Sequence, residues 1–283
     1  MRRREVLAAV GMALAAPRIV RGESARRLTF VPSGAGLAPL DTTWTPARVT
    51  RIHASLVFDT LYGMDDTLTP QPQMLDGHTT EQDGRLWTLW LRPGLKFHDG
   101  SPVLARDALA SIRRFCVRDN LGQALMAVVD ELMAPDDRTL RFRLARPFPL
   151  LPAALAGSSF MLPVVMPERL ANTDASRQVS EMIGSGPYRF IPAEFNAGER
   201  AAYERFADYV PRAGEPLRYN SGGKVAHFDR VEWRTISDIA TAVAALTRGE
   251  VDWIDSVPAD LVPQLARDRD VTVEVTEPTG SIP

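Results

Sequence analysis

Apolar and polar positions alternate most cleanly between residues 85 and 92. Trp87, Leu89 and Leu91 fall on one side there, and Thr88, Trp90 and Arg92 on the other. A period of two puts successive side chains on opposite faces, so this segment reads as a half-buried strand. Residues 139–144 repeat the pattern, with Leu140, Phe142 and Leu144 opposing Thr139, Arg141 and Arg143. Between the two, Pro93-Gly94 marks a turn, 95–98 reads as a second strand, and Asp99-Gly100-Ser101-Pro102 breaks it. The period then lengthens. Ala105, Ala108, Leu109, Ile112 and Phe115 share one stripe, which predicts a helix over 104–114, and a second helix is expected over 121–133. Nearer the N-terminus, residues 28–31 read as a short strand. Val49, Ile52, Leu56, Phe58 and Leu61 predict a helix over 48–62.

The order of elements changes at Asp229. A strand over 229–236 is followed by a helix that Asp238 caps and Gly249 ends. A strand over 251–254, a helix over 258–267 and a last strand through Val271, Val273 and Val275 complete the series. Alternating strand and helix predicts an α/β layer with a mixed or largely parallel sheet. The earlier half mixes hairpins and helices in an α+β manner, so two differently built parts are implied. Residues 207–226, carrying Pro211, Gly214, Pro216 and Gly222-Gly223, read as a surface loop.

Charge narrows the functional classes. The chain of 283 residues has 33 Lys and Arg against 35 Asp and Glu, a formal net charge of −2. Nothing in that balance draws it to nucleic acid or an anionic membrane. A single cysteine, Cys116, rules out an internal disulfide framework and a cysteine-cluster metal site. The N-terminus orders Arg2-Arg3-Arg4, an apolar run from Val6 to Ala16 and then small residues. That order fits a signal peptide over 1–22, and Arg3-Arg4 ahead of Val6-Leu7 fits the twin-arginine type. A periplasmic mature protein is the expectation.

Catalytic patterns are absent from the sequence. It contains no HExxH, P-loop or GxGxxG, and its four histidines, at 53, 78, 98 and 227, match no metal-ligand spacing. Gly184-Ser185-Gly186 lacks the spacing of a nucleophile elbow. Neither a cofactor nor a metal is expected.

Several longer blocks carry a resemblance. The stretch from Asp83-Gly84-Arg85 through Trp87-Thr88-Leu89 and Leu91-Arg92-Pro93-Gly94-Leu95-Lys96-Phe97-His98-Asp99-Gly100-Ser101-Pro102 resembles the signature of family 5 bacterial solute-binding proteins. Those are the relatives of oligopeptide- and dipeptide-binding proteins. Leu40-Asp41, Phe58-Asp59-Thr60-Leu61-Tyr62-Gly63, Pro135-Asp136-Asp137, Ile183-Gly184-Ser185-Gly186-Pro187-Tyr188 and Asp229-Arg230-Val231-Glu232-Trp233 follow in the family's order. The resemblance implies a two-lobed, type II periplasmic-binding-protein fold of the α/β class, with its C-terminal lobe truncated here. It divides the chain into a first lobe over 26–58 and 184–277, an inserted α+β subdomain over 59–183, and the start of the other lobe at 278–283. It also implies a monomer that binds a peptide or similar small polar solute and delivers it to the permease subunits of an ABC importer.

On the first-lobe side of the cleft, the resemblance singles out the loop after Leu40-Asp41. Trp44, Arg48 and Thr50 from that region, and Tyr62 beyond it, are the candidate ligand-binding residues. An aromatic face beside a guanidinium suits stacking and charge pairing. A packed or solvated role is open for each of the four. A secreted hydrolase and a truncated, non-binding product are the competing readings.

Overall fold

The computed structural model describes residues 25–34, 36–157, 161–214 and 216–274. The expected signal peptide and residues 278–283 lie outside these. Strand β1 (Arg27–Val31) runs through a loop into helix α1 (Arg48–Val57). The helix stops at Val57, short of the predicted end, because another segment caps it. The Gly186 N–H donates to the Val57 carbonyl at 2.9 Å, and Phe58 is extended. A Cβ at Gly184 would lie 2.0 Å from that same carbonyl oxygen, so only glycine permits the approach.

Residues expected at the end of that helix instead form β2 (Tyr62–Met64), which pairs with β3 (Pro70–Pro72). A hairpin follows, β4 (Leu75–Glu81) with β5 (Leu86–Leu91), its turn made by Gln82, Asp83 and Gly84, all at positive φ. Residues 95–98, expected as β5's neighbour, form only an isolated bridge between Lys96 and Pro102. Helix α2 (Ala105–Cys116) starts where the Asp107 carboxylate accepts the Leu104 N–H at 2.8 Å. Helix α3 (Asn120–Met126) is shorter than predicted, and β6 (Val129–Met133) replaces its second half. Pairing with β7 (Thr139–Leu144) overrides the local helix preference of that segment.

Short helices α4 (Leu151–Ala154) and α5 (Glu168–Ala171) lead to β8 (Tyr188–Phe190), β9 (Arg200–Arg205) and β10 (Arg230–Arg234). Helix α6 (Ile239–Thr247) has the predicted cap, with Asp238 accepting the Thr241 N–H at 2.8 Å, and Gly249 beyond it at φ 68°. β11 (Trp253–Ile254) and α7 (Val262–Leu265) are shorter than expected. Residues 271–274 are not in a strand, and Val275 lies outside the described residues.

Two main sheets result. The first has the order β11-β1-β10-β9-β8, with β1 parallel to both β10 and β11 and the remaining pairs antiparallel. Phe30, Tyr203, Val231 and Trp233 on one face pack with Val49, Ala54 and Val57 of α1. Val31 and Ile254 on the other pack with Ala242, Val243 and Ala245 of α6. This is the mixed α/β layer expected from the C-terminal half. The second sheet, β4-β5-β7-β6, is antiparallel throughout. Its buried Trp87, Leu89, Leu91, Leu140, Phe142 and Leu144 meet Ala105, Ala108, Ile112 and Phe115 of α2.

Buried polar joints hold the parts in register. Arg114 of α2 forms a bidentate pair with Asp41 at 2.7 and 3.1 Å, and both side chains are almost wholly buried. Arg114 also donates to the carbonyls of Thr173 and Arg177, while Asp41 accepts the Val179 N–H. A second pair, Lys224 with Asp59 at 3.0 Å, ties down the 207–226 loop, helped by the Tyr209 hydroxyl on Asp59. Gln73 adds a two-way exchange with the Gly222 backbone. The loop is a loop, as expected, but its inner edge is buried. A third joint is His98: its Nε2 lies 3.0 Å from the Gly186 carbonyl, and its Nδ1 faces the Gly184 N–H.

Replacing Arg114 with methionine strands the Asp41 charge in the interior. It is expected to cost about 3–5 kcal/mol in urea or guanidinium unfolding. A second expectation concerns acid. Burial lowers His53 to about 3 and His98 to about 4, both below the ordinary 6.5. The unfolded chain then takes up protons below pH 6.5 that the folded chain refuses. Each histidine therefore contributes a loss of up to about 1.4 kcal/mol per pH unit as pH falls from 6.5 towards 4. Unfolding curves at pH 7.5, 5.5 and 4.5 measure the slope, and His98→Gln should flatten it.

Candidate functional site

Strand β1 lies between two parallel neighbours, and the helices that follow β1 and β10 pack on opposite faces of the sheet. The loops leaving the carboxyl ends of these strands therefore diverge. In open α/β sheets that divergence opens the crevice where ligands bind. The loop after β1 and the residues after β11 meet there.

One node at this edge is ionic. Asp255, just past β11, donates its N–H to the Val31 carbonyl at 3.0 Å. Its carboxylate accepts the Ser33 hydroxyl at 2.6 Å, Arg48 Nε at 3.1 Å and Arg48 Nη2 at 2.7 Å. Burial pushes the Asp255 carboxyl up, but the hydrogen bonds from Arg48 and Ser33 outweigh it and hold the acid below its ordinary value. Arg48 stays about half exposed while fixed to the carboxylate. It joins the start of α1 to the end of β11.

The second node is aromatic. Asp41 opens a tight turn in which its side chain accepts the Thr43 N–H and its carbonyl accepts the Trp44 N–H, each at 3.0 Å. This turn sets Trp44 on the surface with 39% of its area exposed. The Arg118 guanidinium, arriving from the end of α2, lies 5.8 Å from the indole centroid, within cation–π range. Trp253 on the edge strand is also exposed and packs against Phe30 at 5.0 Å between centroids.

Of the four residues singled out in the sequence, Trp44 and Arg48 thus present surface. Thr50 and Tyr62 do not. Thr50 is fully buried on α1 and donates its hydroxyl to the Pro39 carbonyl at 2.8 Å, fixing the loop from inside. Tyr62 is fully buried in β2, its hydroxyl 2.9 Å from His78 Nδ1, and burial raises its phenol pKa. Tyr62 faces inward because the chain has already left α1 for a strand. Sequence reasoning missed Ser33, Arg118 and Asp255. Arg118 lies just past the end of α2, and no local pattern in the sequence marks it.

Elsewhere, Asp76, Trp90, Asp136, Asp137, Arg138 and Thr139 line a surface concavity of about 670 Å³ on the antiparallel sheet. It is broad and open, and two of its three acids are already engaged. Asp136 accepts the Arg138 and Thr139 N–H groups, and Asp76 pairs with Arg138. The strand-end face is the better candidate because its loops leave the carboxyl ends of parallel strands. Among the described residues no group of three His, Cys, Asp or Glu is placed to hold a metal ion. Among the described residues the Ser185 hydroxyl is buried without a hydrogen-bond partner.

Comparison with known proteins agrees with this architecture. The family model for bacterial extracellular solute-binding proteins, family 5 Middle, matches residues 69–282. A probable peptide ABC transporter periplasmic-binding protein of Sinorhizobium fredii is 36% identical over 276 residues, covering 96% of this chain and 51% of that protein. A glutathione-binding protein of Pectobacterium atrosepticum is 28% identical over 208 residues, 72% of this chain and 37% of its own length. Among solved structures, a periplasmic binding protein from A. tumefaciens in complex with agropinic acid superposes with a TM-score of 0.68 at 27% identity. It shares 86% of this chain and 46% of its own. A Pseudoalteromonas dipeptide-binding protein with Met-Leu has a TM-score of 0.71 at 18% identity, a likeness of fold alone. This chain therefore spans about half the length of the first relative and less of the second. By the family match and by the Sinorhizobium relative, the chain belongs to the family 5 bacterial extracellular solute-binding proteins.

Proposed function

We propose that the chain forms one side of the periplasmic substrate-binding component of an ABC importer, and that it takes a peptide or similar small polar solute. Residues 26–58 and 184–277 make the first lobe, and 59–183 make the inserted subdomain. A second lobe supplies the opposite wall of the cleft. Closure of the lobes on the solute creates the form that permease subunits accept. The observation that carries this reading is the exposed Trp44, fixed by its turn in the loop that joins β1 to α1 on a family 5 scaffold. Specificity in such a site comes from a few placed polar groups around an apolar surface, and it requires no chemistry on the solute. The relatives' names support peptides as the first class to try, with glutathione and agropinic acid next. Residues 1–22 act as the export signal, and the mature protein works as a monomer in the periplasm.

Titration with Met-Leu, glutathione and agropinic acid, followed by tryptophan fluorescence, tests the reading. At least one solute is expected to give a saturable change. Trp44→Ala should weaken that binding at least tenfold, about 1.4 kcal/mol, while moving the unfolding midpoint little, since the side chain is partly exposed. Equal binding by Trp44→Ala and the unaltered chain would count against this face.

A further inference from the structure

We propose that Arg118, stacked on Trp44, is the group that recognises a carboxylate of the solute, and that Arg48 is not. The proposal rests on the reading of this face as the ligand-binding one. Three guanidinium groups lie close to it, and they differ in what they are doing. Arg48 is engaged by both oxygens of Asp255, at 2.7 and 3.1 Å. Arg114 is engaged by both oxygens of Asp41 and is buried with it. Each is a neutral pair whose acid is withdrawn from solvent. Arg118 is exposed, and among the described residues its side chain makes no hydrogen bond or ion pair, only the contact over the Trp44 ring.

The acid next to it does not neutralise it. Asp119 is 2% exposed and turned away to cap α3, accepting the Gly122 N–H at 2.8 Å. Arg118 thus carries a positive charge that has no ion-pair partner among the described residues. It is also held in place. Its N–H donates to the Phe115 carbonyl at the end of α2, the same helix whose Arg114 grips the Trp44 turn through Asp41. The turn that carries the ring and the backbone that carries the cation are therefore both anchored on α2. That shared anchor lowers the ordering cost when an anion arrives.

A guanidinium over an indole keeps N–H donors along its rim in a fork that matches a carboxylate. The ligand class that follows is a solute bearing a free carboxylate: a peptide through its C-terminus, or an organic acid. A solute without a carboxylate gains nothing from this ledge.

Two measurements test it. The first needs no cargo: quenching of tryptophan fluorescence by iodide and by neutral acrylamide. The Trp44 contribution is taken as the difference between the wild type and Trp44→Phe. Iodide should quench Trp44 at least twofold more effectively, relative to acrylamide, in the wild type than in Arg118→Gln. Arg141→Gln, which removes a charge from the antiparallel sheet, should leave that ratio unchanged. The second is titration with Met-Leu and its C-terminal carboxamide. The acid should bind at least tenfold tighter, Arg118→Gln should erase the difference, and Arg118→Lys should restore part of it. An iodide preference that is missing in the wild type or persists in Arg118→Gln overturns the ledge, as does undiminished carboxylate discrimination in that variant. If iodide behaves as expected while neither peptide binds, the ledge stands and peptide cargo is the part that fails.

Discussion

The buried pair of Asp41 and Arg114 is the constraint on which the candidate face depends. Removing two charges from water is expensive, and a well-packed apolar pair of the same volume would often be as stable or more so. What the ionic pair adds is direction. A bidentate fork accepts one arrangement, and this one fixes three segments at once. The turn that carries Trp44 hangs from Asp41, the pair's base is α2, and Arg114 and Asp41 together satisfy the backbone of 173–179. An element of the antiparallel half thereby sets the geometry of a loop belonging to the parallel sheet.

The other joints follow the same logic at different places. Lys224 on Asp59 pins the long loop, and His98 with Gly184 and Gly186 closes the chain's return to the first sheet. In each, a polar side chain from a signature block meets backbone or an opposite charge from a distant block. The signature is thus largely a set of fasteners. It identifies the scaffold well and says little about the solute, since the surface at the strand ends is made by residues outside most of those blocks. Asp41 is the exception, being both fastener and foundation of the Trp44 turn.

Much of the fold was legible where a local pattern matched a single-sided environment. The strands at 86–91 and 139–144, the helix α2 and the capped α6 each bury one face, so their periods survive in the sequence. β4 was invisible because it lies at a sheet edge, where Asp76 and the residues from His78 to Glu81 are exposed and only Leu75 is buried. β6 was read as helix because its Asp-Glu-Leu-Met composition is helical, and only pairing with β7 makes it a strand. The end of α1 depends on glycines from residues 184–186, far away in sequence. The candidate site was half legible. Trp44 and Arg48 reach the surface, while Thr50 and Tyr62 are consumed by packing, and the partner of the indole arrives from another element. No local window of sequence carries that contact.

Native-state amide hydrogen exchange tests the central claim most directly, comparing the unaltered chain with Arg114→Met. The Thr43 and Trp44 amides are bound in the Asp41 turn, Val179 is bound to the Asp41 carboxylate, and Leu89 lies in the antiparallel sheet away from it. If the ion pair positions the turn, protection at Thr43, Trp44 and Val179 falls at least tenfold further than at Leu89. A uniform loss at all four sites, or undisturbed protection at Thr43 and Trp44, would mean that the turn holds its shape without the pair.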